Sequence, residues 1–463
     1  MGIKGIISLV SNSSTQLYIK RFNNGNLSNG LLFFLLLTFF FIFSLGQFTN
    51  VYIRHDDWEF MTRLAPDMKG FVSPWDKTLL EGRWINYLWS YIAYYLPAKT
   101  VYCLFIFGYA LFCWRASLVI TDNTKTTFIA AVLFFLCPAY ADLSFWPATL
   151  SPSVWIVTVI LCFFYIKESV SFLFIIVSAV LMLTYQPMIP ACFLLFSIRM
   201  KTCASTIKIG IYYYVGYVIG VIVIYILNYH FHDYLGVKIA DWRHPNPVHS
   251  FSDLINNFKK SMHTWHDIFL YYNWVVISSL LGLLVIAKIS SGMFMRLLVA
   301  VIMIMFFETL MQTYTGVDIP ARSLIWPWVF FVSVFSILAN NFSYNSIRLI
   351  KPAIFLSAFI IFISCFHLGF VNWIGFYTYE NRFSQYEDYL GNYLKSQPNQ
   401  QVFVCGDFSK VQGYQRHDFK ELALAIWKKH AINITPLPDN KCDEQNLQLG
   451  INILNGVSYY RVN

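Results

Sequence analysis

One short acidic segment holds the first candidates for chemistry in this sequence. Arg54-His55-Asp56-Asp57-Trp58-Glu59 places three carboxylates within four residues. Such crowding raises the pKa of a carboxyl group unless cations, donors or water compensate the charges, and a raised pKa suits a general base or a cation site. Asp57, Asp56 and Glu59 are therefore candidate catalytic residues. The alternative is a solvated loop in which Arg54, Arg63 and Arg83 pair with the acids.

Two arginines are candidates for binding a phosphate or a carboxylate. Glu81-Gly82-Arg83-Trp84 follows the acidic segment by about 25 residues, and Asp318-Ile-Pro-Ala-Arg322 lies far along the chain. The planar guanidinium group offers a fork of donors that matches phosphate oxygens. The alternative for Arg322 is a structural pair with Asp318 or with Glu308, an ionisable residue inside an apolar run.

Weaker signals come from an amide and from a group of histidines. Tyr185-Gln186-Pro187 interrupts an apolar run, where the amide either binds a sugar or satisfies freed backbone groups. The histidines lack a third metal ligand at a standard interval, and the sequence contains no GxGxxG, Walker A or GxSxG motif. We therefore predict no cofactor and no metal. The histidines concerned are His230, His232, His244, His249, His263 and His266.

Composition places these residues in a membrane protein. Of 463 residues, 57% are apolar and only 12% are charged, with a mean hydropathy of +0.53. A soluble protein has roughly a quarter of its residues charged. The 44 Phe, 30 Tyr and 14 Trp residues exclude disorder and coiled coil. The net charge of +9 does not indicate a nucleic-acid partner, because it is spread between apolar runs. Eleven runs are candidate spans: 31–48, 101–119, 126–142, 149–166, 169–186, 187–199, 207–228, 273–290, 294–313, 321–339 and 352–374.

The basic residues predict the orientation. With residues 1–30 in the cytoplasm, every short inner connection carries Lys or Arg, and the outer connections 142–148 and 314–320 carry none. Span 31–48 has no convincing cleavage site and is predicted to be retained. An odd number of spans puts the C-terminus on the outer side. Segment 85–97 is rich in Trp and Tyr and is predicted to be an interfacial helix.

This topology divides the chain into five regions. Residues 1–30 form the cytoplasmic N-terminus, 31–48 the first span and 49–99 the first outer loop. Residues 100–375 form the remaining membrane region, with a second outer loop at 229–272. Residues 376–463 form a small α/β domain, with a strand at 401–405 and an amphipathic helix at 419–430. This domain contains Cys405 and Cys442, which would pair only in an oxidising compartment.

The order of these features resembles a known family. A first span, an outer loop with Asp56-Asp57 closed by Gly82-Arg83, many aromatic-rich spans and an outer C-terminal domain resemble bacterial O-antigen glucosyltransferases of the Gtr type. These are serotype-converting membrane enzymes of the GT-C class, which modify lipopolysaccharide at the inner membrane. Tyr185, Gln186 and Arg322 give weaker support. Trp84 stands where the family pattern has a proline, which leaves the subfamily and the sugar open.

The resemblance implies an activity. Such enzymes take a sugar from a polyprenyl phosphate, such as undecaprenyl phosphate glucose, and transfer it to a lipid-linked polysaccharide at the periplasmic face. Asp57 or Asp56 would be the general base, with Glu59 in reserve, and direct displacement would invert the anomeric carbon. Arg83 and Arg322 would stabilise the leaving phosphate.

The same resemblance implies partners. A polyprenyl-phosphate glucosyltransferase would supply the donor, and a flippase would move it across the membrane. Trp84, Asp318, Gln186 and Tyr185 would complete the substrate site. Membrane lipid surrounds such an enzyme, and nucleic acid is not a partner. The rival hypotheses are an O-antigen polymerase or ligase and, from another class, a transporter or lipid flippase, which should show mid-membrane charges and related halves.

Overall fold

The computed structural model describes most of the chain. The described residues are 26–44, 48, 51, 53, 55–62, 73–121, 123–163, 172–240, 243–344, 350–396, 401–405, 419–436, 443, 447–454 and 457–461. Arg54, Arg63 and Cys442 lie outside this set, as does the side chain of Asp56. The described part is mostly helical.

Sixteen helices are described, numbered in chain order. The first eight are α1 (Asn26–Phe43), α2 (His55–Thr62), α3 (Pro74–Glu81), α4 (Trp84–Tyr95), α5 (Ala98–Ile120), α6 (Thr124–Phe135), α7 (Pro138–Leu143) and α8 (Pro147–Phe163). The others are α9 (Leu173–Met182), α10 (Met188–Arg199), α11 (Cys203–His232), α12 (Phe251–Ile289), α13 (Ser291–Thr315), α14 (Trp326–Tyr344), α15 (Lys351–Lys395) and α16 (Phe419–His430). A short 3₁₀ helix spans Ala321–Ser323.

The helices define a polytopic membrane protein. Five are long and apolar enough to cross a bilayer: Ala98–Ile120, Cys203–His232, Phe251–Ile289, Ser291–Thr315 and the Lys351–Gly375 part of α15. The six other predicted spans coincide with shorter apolar helices. Each of the eleven predicted apolar runs therefore contains a helix, and five of these helices reach spanning length.

Residues predicted to lie on the inner side contact one another, and residues predicted to lie on the outer side do the same. On the predicted inner side, Arg199 donates to the Leu118 carbonyl at 2.8 Å, and Arg296 donates to the Lys201 carbonyl at 2.8 Å. On the predicted outer side, the Asn246 amide donates to the Thr315 carbonyl at 3.2 Å. Connections that the sequence assigned to one side thus meet at one end of the bundle.

Two helices differ from the sequence prediction. The predicted second outer loop, 229–272, is helical from Phe251 onwards as the first half of α12, which bends at Asn273, where φ is 32° and ψ is −105°. Helix α15 continues through the predicted domain boundary at 375 and ends at Lys395. Segment 85–97 is a helix, as predicted, and Leu88, Ile92 and Tyr95 are exposed on it.

The C-terminal residues form a small α/β unit. Strand β1 (Gln401–Cys405) and α16 are confirmed at the predicted positions. The sheet also contains β2 (Asn433–Pro436), β3 (Gly450–Leu454) and β4 (Val457–Arg461), in the order β2-β1-β4-β3. β1 is parallel to β2 and β4, whereas β3 and β4 are antiparallel. Cys405 is in a disulfide, and the seven other described cysteines are free thiols.

Replacing Gly216 with alanine should separate α9 from α11. A Cβ at Gly216 would lie 2.7 Å from the Ser178 Cβ and would also meet the Ile175 carbonyl, so the backbones pack closely here only because glycine has no side chain. Overpacking of this kind costs about 1–3 kcal/mol. Thermal unfolding in detergent should show the loss. Gly292→Ala is the matched control, because nothing lies within 4 Å of its Cβ position.

Candidate functional site

Asp57, in the acidic segment, caps a distant helix through its side chain. That side chain is fully buried. Oδ2 accepts the Ala148 amide at 2.5 Å, and Oδ1 accepts the Thr149 amide at 2.8 Å. These are orphan N–H groups at the start of α8, which a carboxylate satisfies well. The catalytic role of Asp57 stays a prediction, and this geometry favours a positioning role instead.

The environment of Asp57 also raises its pKa. Burial raises it to about 7, although the hydrogen bonds from Thr149 and Ala148 and the charge of Lys77 all act to lower it. Desolvation disfavours the ionised form, and here it outweighs the hydrogen bonds. The crowded acids of the sequence indicate a carboxyl group that titrates near neutrality, but the cause in the structure is burial.

Asp57→Asn should remove a pH dependence of stability. In the unfolded chain Asp57 titrates near 3.8, and in the folded protein at about 7, so unfolding between these values releases a proton. Stability from this group is therefore fully present below about pH 4 and is lost as the pH rises through 7. Thermal unfolding of the wild type should weaken over that range. The Asp57→Asn variant should lose this component, and an unchanged slope would contradict the raised pKa.

Two other candidates from loop one, Glu59 and Trp84, are held in structural contacts. Glu59 is paired with Lys77 at 2.9 Å and is 13% exposed. Trp84 is buried and donates from its indole nitrogen to Asn228 Oδ1 at 2.9 Å, packed on Trp75. The catalytic role of Glu59 and the substrate role of Trp84 stay predictions, and these contacts favour a structural role for both.

Arg83, Tyr185 and Arg322 come together, although they lie in three distant segments. The Arg83 guanidinium lies 5.5 Å from the centre of the ring of Tyr185, which is in the turn between α9 and α10. The Tyr185 hydroxyl donates to the Ser323 hydroxyl at 3.4 Å, next to Arg322. Ser323 follows Arg322 in the 3₁₀ helix, so this bond brings the turn that carries Arg322 against Tyr185, which is itself buried. We call this cluster, Arg83, Tyr185, Arg322 and Ser323, the arginine site.

Local sequence explains how Arg83 reaches this site. Helix α3 begins with a capping box between Ser73 and Asp76, and Pro74 occupies its first turn. It ends at Gly82, whose φ of 71° is left-handed and favours glycine. The chain turns there, so Arg83 leaves the helix and points towards Tyr185. Glu81 holds the guanidinium at 2.9 Å.

Three residues at the site were not singled out from sequence. Trp146 lies under the Arg322 guanidinium, 5.5 Å from the ring centre. Asp142 is 9% exposed, and its helix, α7, packs against the 3₁₀ helix that contains Arg322. Arg243 pairs with Glu81 at 3.3 Å and adds a third guanidinium group to this region. A signal for Asp142 was available, because it is the one acidic residue in the predicted outer connection 142–148.

Gln186 and Asp318 lie apart from these contacts. Gln186 is exposed, and its backbone carbonyl accepts the Ile189 amide at the start of α10. Asp318 is 53% exposed and pairs with Lys260 at 3.2 Å. Glu308 accepts a hydrogen bond from Trp326 at 2.9 Å. Among the described residues no group of three or more His, Cys, Asp or Glu side chains is arranged to hold a metal ion.

Comparison with protein-family models, with curated proteins and with solved structures finds no match for this chain.

Proposed function

We propose that this protein is a GT-C-like glycosyltransferase with eleven transmembrane helices. It transfers a hexose, glucose as the first candidate, from polyprenyl phosphate to a lipid-linked polysaccharide. The observation that carries the proposal is the arginine site, in which Arg83 lies over the buried ring of Tyr185 and the hydroxyl of Tyr185 contacts Ser323, the residue after Arg322. Three long-range contacts converge there, at the end of the bundle where the predicted outer segments meet.

The arginines suit a phosphate that becomes a leaving group. Arg83 is held by Glu81 and lies over the ring of Tyr185, and Arg322, which is exposed, lies over the ring of Trp146, so both groups are placed before negative charge develops. Arg243 shares Glu81 with Arg83 and lies beside them. A polyprenyl phosphate departing from the anomeric carbon would gain charge opposite these groups. The donor carries its own phosphate, so the chain needs no nucleotide motif.

Asp142 is the carboxylate best placed to act as general base. It is mostly buried, its charge acts on Tyr185, and it lies four residues before Trp146. In the proposed step an acceptor hydroxyl attacks the anomeric carbon and its proton passes to Asp142. The bond from that carbon to the phosphate oxygen breaks, and the configuration inverts. Asp57 would position the start of α8, and with it Trp146, through its hydrogen bonds to Ala148 and Thr149.

The cellular setting follows from the same proposal. The protein would lie in the bacterial inner membrane, with its N-terminus in the cytoplasm and its C-terminal domain in the periplasm. The disulfide at Cys405 supports an oxidising compartment for that domain. The arginines that cap helix carbonyls at the other end of the bundle support the cytoplasmic side, where positive residues accumulate.

Reconstitution tests the activity directly. The purified full-length protein in lipid vesicles is given polyprenyl phosphate carrying labelled glucose and a lipid-linked polysaccharide acceptor. We expect label to move to the acceptor, and Arg322→Ala to abolish most of this transfer. Arg199→Ala is the matched control, because Arg199 caps a helix at the opposite end of the bundle. Lipid flipping without transfer by the wild type would favour the transporter hypothesis instead.

A further inference from the structure

A second polar group lies inside the helix bundle near the arginine site. Glu308 and Gln312 are one helical turn apart on α13, so they share one face. They are 7% and 3% exposed. The indole nitrogen of Trp326 donates to Glu308 Oε2 at 2.9 Å. The group therefore joins a carboxylate, an amide and an indole in a helix that is long and apolar enough to span the membrane.

Gln312 is the unusual member of this group. Among the described residues, neither its amide nitrogen nor its amide oxygen has a hydrogen-bond partner, and both atoms are buried. Buried polar groups are nearly always paired, since an unpaired one keeps the full cost of leaving water. An apolar side chain at this position would avoid that cost. The amide is therefore explained best by a ligand that enters and pairs with it.

The group lies close to the arginine site. Trp326 begins α14, only four residues after Arg322, so its bond to Glu308 ties α13 to the arginine turn. Helix α13 also packs against α10, and the turn before α10 carries Tyr185. Glu308 and Gln312 therefore belong to a helix that contacts both elements next to the arginine site, the start of α14 through Trp326 and helix α10.

The chemistry of the two side chains selects the ligand class. An amide offers two donors and an acceptor at once, and the carboxylate offers acceptors only. Adjacent hydroxyl groups of a sugar ring use both kinds of partner, because each hydroxyl donates and accepts. A phosphate would be repelled by the carboxylate of Glu308, and a cation would leave the amide hydrogens of Gln312 unused. The phosphate-binding arginines already account for the other end of such a substrate.

We propose that Glu308 and Gln312 bind the ring hydroxyls of the transferred sugar and so select which hexose the protein uses. The inference rests on the proposed function, which it deepens from polyprenyl phosphate recognition to recognition of the sugar. It assigns the selection to a buried pair within the membrane region, separate from the phosphate contacts.

Donor preference is the first measurement. Polyprenyl phosphates carrying glucose, galactose or mannose are compared in vesicles for the wild type, Gln312→Leu and Glu308→Gln. A site that pairs with a hydroxyl discriminates strongly against its absence, so we expect Gln312→Leu to lower transfer of the preferred hexose about 100-fold and of the others little. Thr313→Val is the control, because its buried hydroxyl also lacks a partner among the described residues but, as the next residue of α13, it lies on a different face of the helix from Gln312. An unchanged preference in Gln312→Leu would overturn the proposal.

Binding of free sugar is the second measurement and does not need transfer. The unfolding temperature of each variant in detergent is recorded with and without a large excess of each free hexose. We expect the preferred hexose to raise the unfolding temperature of the wild type and of Thr313→Val, but not that of Gln312→Leu. If the hexose raises the unfolding temperature of the wild type but not that of Gln312→Leu, the sugar site is supported. If the wild type at the same time transfers no sugar, the proposed function is rejected. Transfer with an unaltered preference, or no rise in any protein, rejects the sugar site.

Discussion

Asp142→Asn should lower sugar transfer by about 10²–10⁴-fold while the protein remains folded. Asparagine keeps the size and a hydrogen-bonding oxygen of the side chain but cannot take the proton of an acceptor hydroxyl. Asp142 lies in α7, is 9% exposed and acts electrostatically on Tyr185. The measurement is the initial rate of label transfer from polyprenyl phosphate glucose, with the amount of folded protein checked by size-exclusion chromatography.

Asp57→Asn is the comparison that separates the two candidate bases. Asparagine keeps one acceptor oxygen but cannot accept from both Ala148 and Thr149, so this variant should hold the start of α8 more weakly and yet keep more transfer activity than Asp142→Asn. Asp142→Glu should retain more activity than Asp142→Asn, because it keeps a carboxylate. If Asp57→Asn abolishes transfer while Asp142→Asn does not, the base lies in loop one, as the sequence predicts.

The sequence predicted the membrane class, each of the eleven apolar helices and two elements of the C-terminal unit. These features follow from local hydropathy and periodicity, which neighbouring residues determine. The arginine site was predicted in part, since Arg83, Tyr185 and Arg322 were each selected as residues of outer segments. Their mutual contacts depend on packing between segments more than 100 residues apart, which periodicity does not contain.

The contacts of other candidate residues also depend on packing between distant segments, which local sequence does not determine. Asp57 looked catalytic because it is crowded by acids, but its partners are amides more than 90 residues away. Trp84 looked like part of a binding motif, yet Asn228 and Trp75 hold it in the core. Asp142 stands out as the one acidic residue of the predicted outer connection 142–148, but its closeness to the turn of Arg322 depends on packing between distant segments.

The C-terminal unit contacts two helices of loop one. Helix α16 packs against α2, the helix that carries Asp57, and Lys429 lies 5.8 Å from the centre of the Trp58 ring. Lys428 donates to the backbone carbonyls of Ala93 and Tyr94 at the end of α4. Helix α16 therefore contacts both α2, which carries the acidic segment, and the end of α4, the helix that follows Arg83.

Lys429→Met should be among the most destabilising single changes in this region. Lys429 pairs with Glu387 at 2.8 Å and with Asp388 at 3.2 Å, and Glu387 is fully buried. Removing one partner of a buried pair leaves an uncompensated charge and costs about 3–5 kcal/mol. Burial already raises the pKa of Glu387 to about 7, while Lys429 lowers it. The variant should therefore raise this pKa further and bind a proton more tightly when folded.

This linkage gives the Lys429→Met prediction a pH signature. Because the folded state holds the Glu387 proton more tightly than the unfolded chain, its stabilising contribution is present at low pH and is lost as pH rises through the folded pKa. Below about pH 7 the Glu387 carboxyl is protonated in both folded proteins, so their stabilities fall in parallel as the pH rises. Above that pH only the wild type ionises Glu387 beside Lys429, so the deficit of the variant in thermal unfolding should grow as the pH rises further. Glu387→Gln combined with Lys429→Met should recover most of the loss. Lys395→Met, an exposed lysine at the end of α15, should have little effect. A deficit independent of pH would mean that lost packing on Trp58, not the unpaired carboxylate, destabilises the variant.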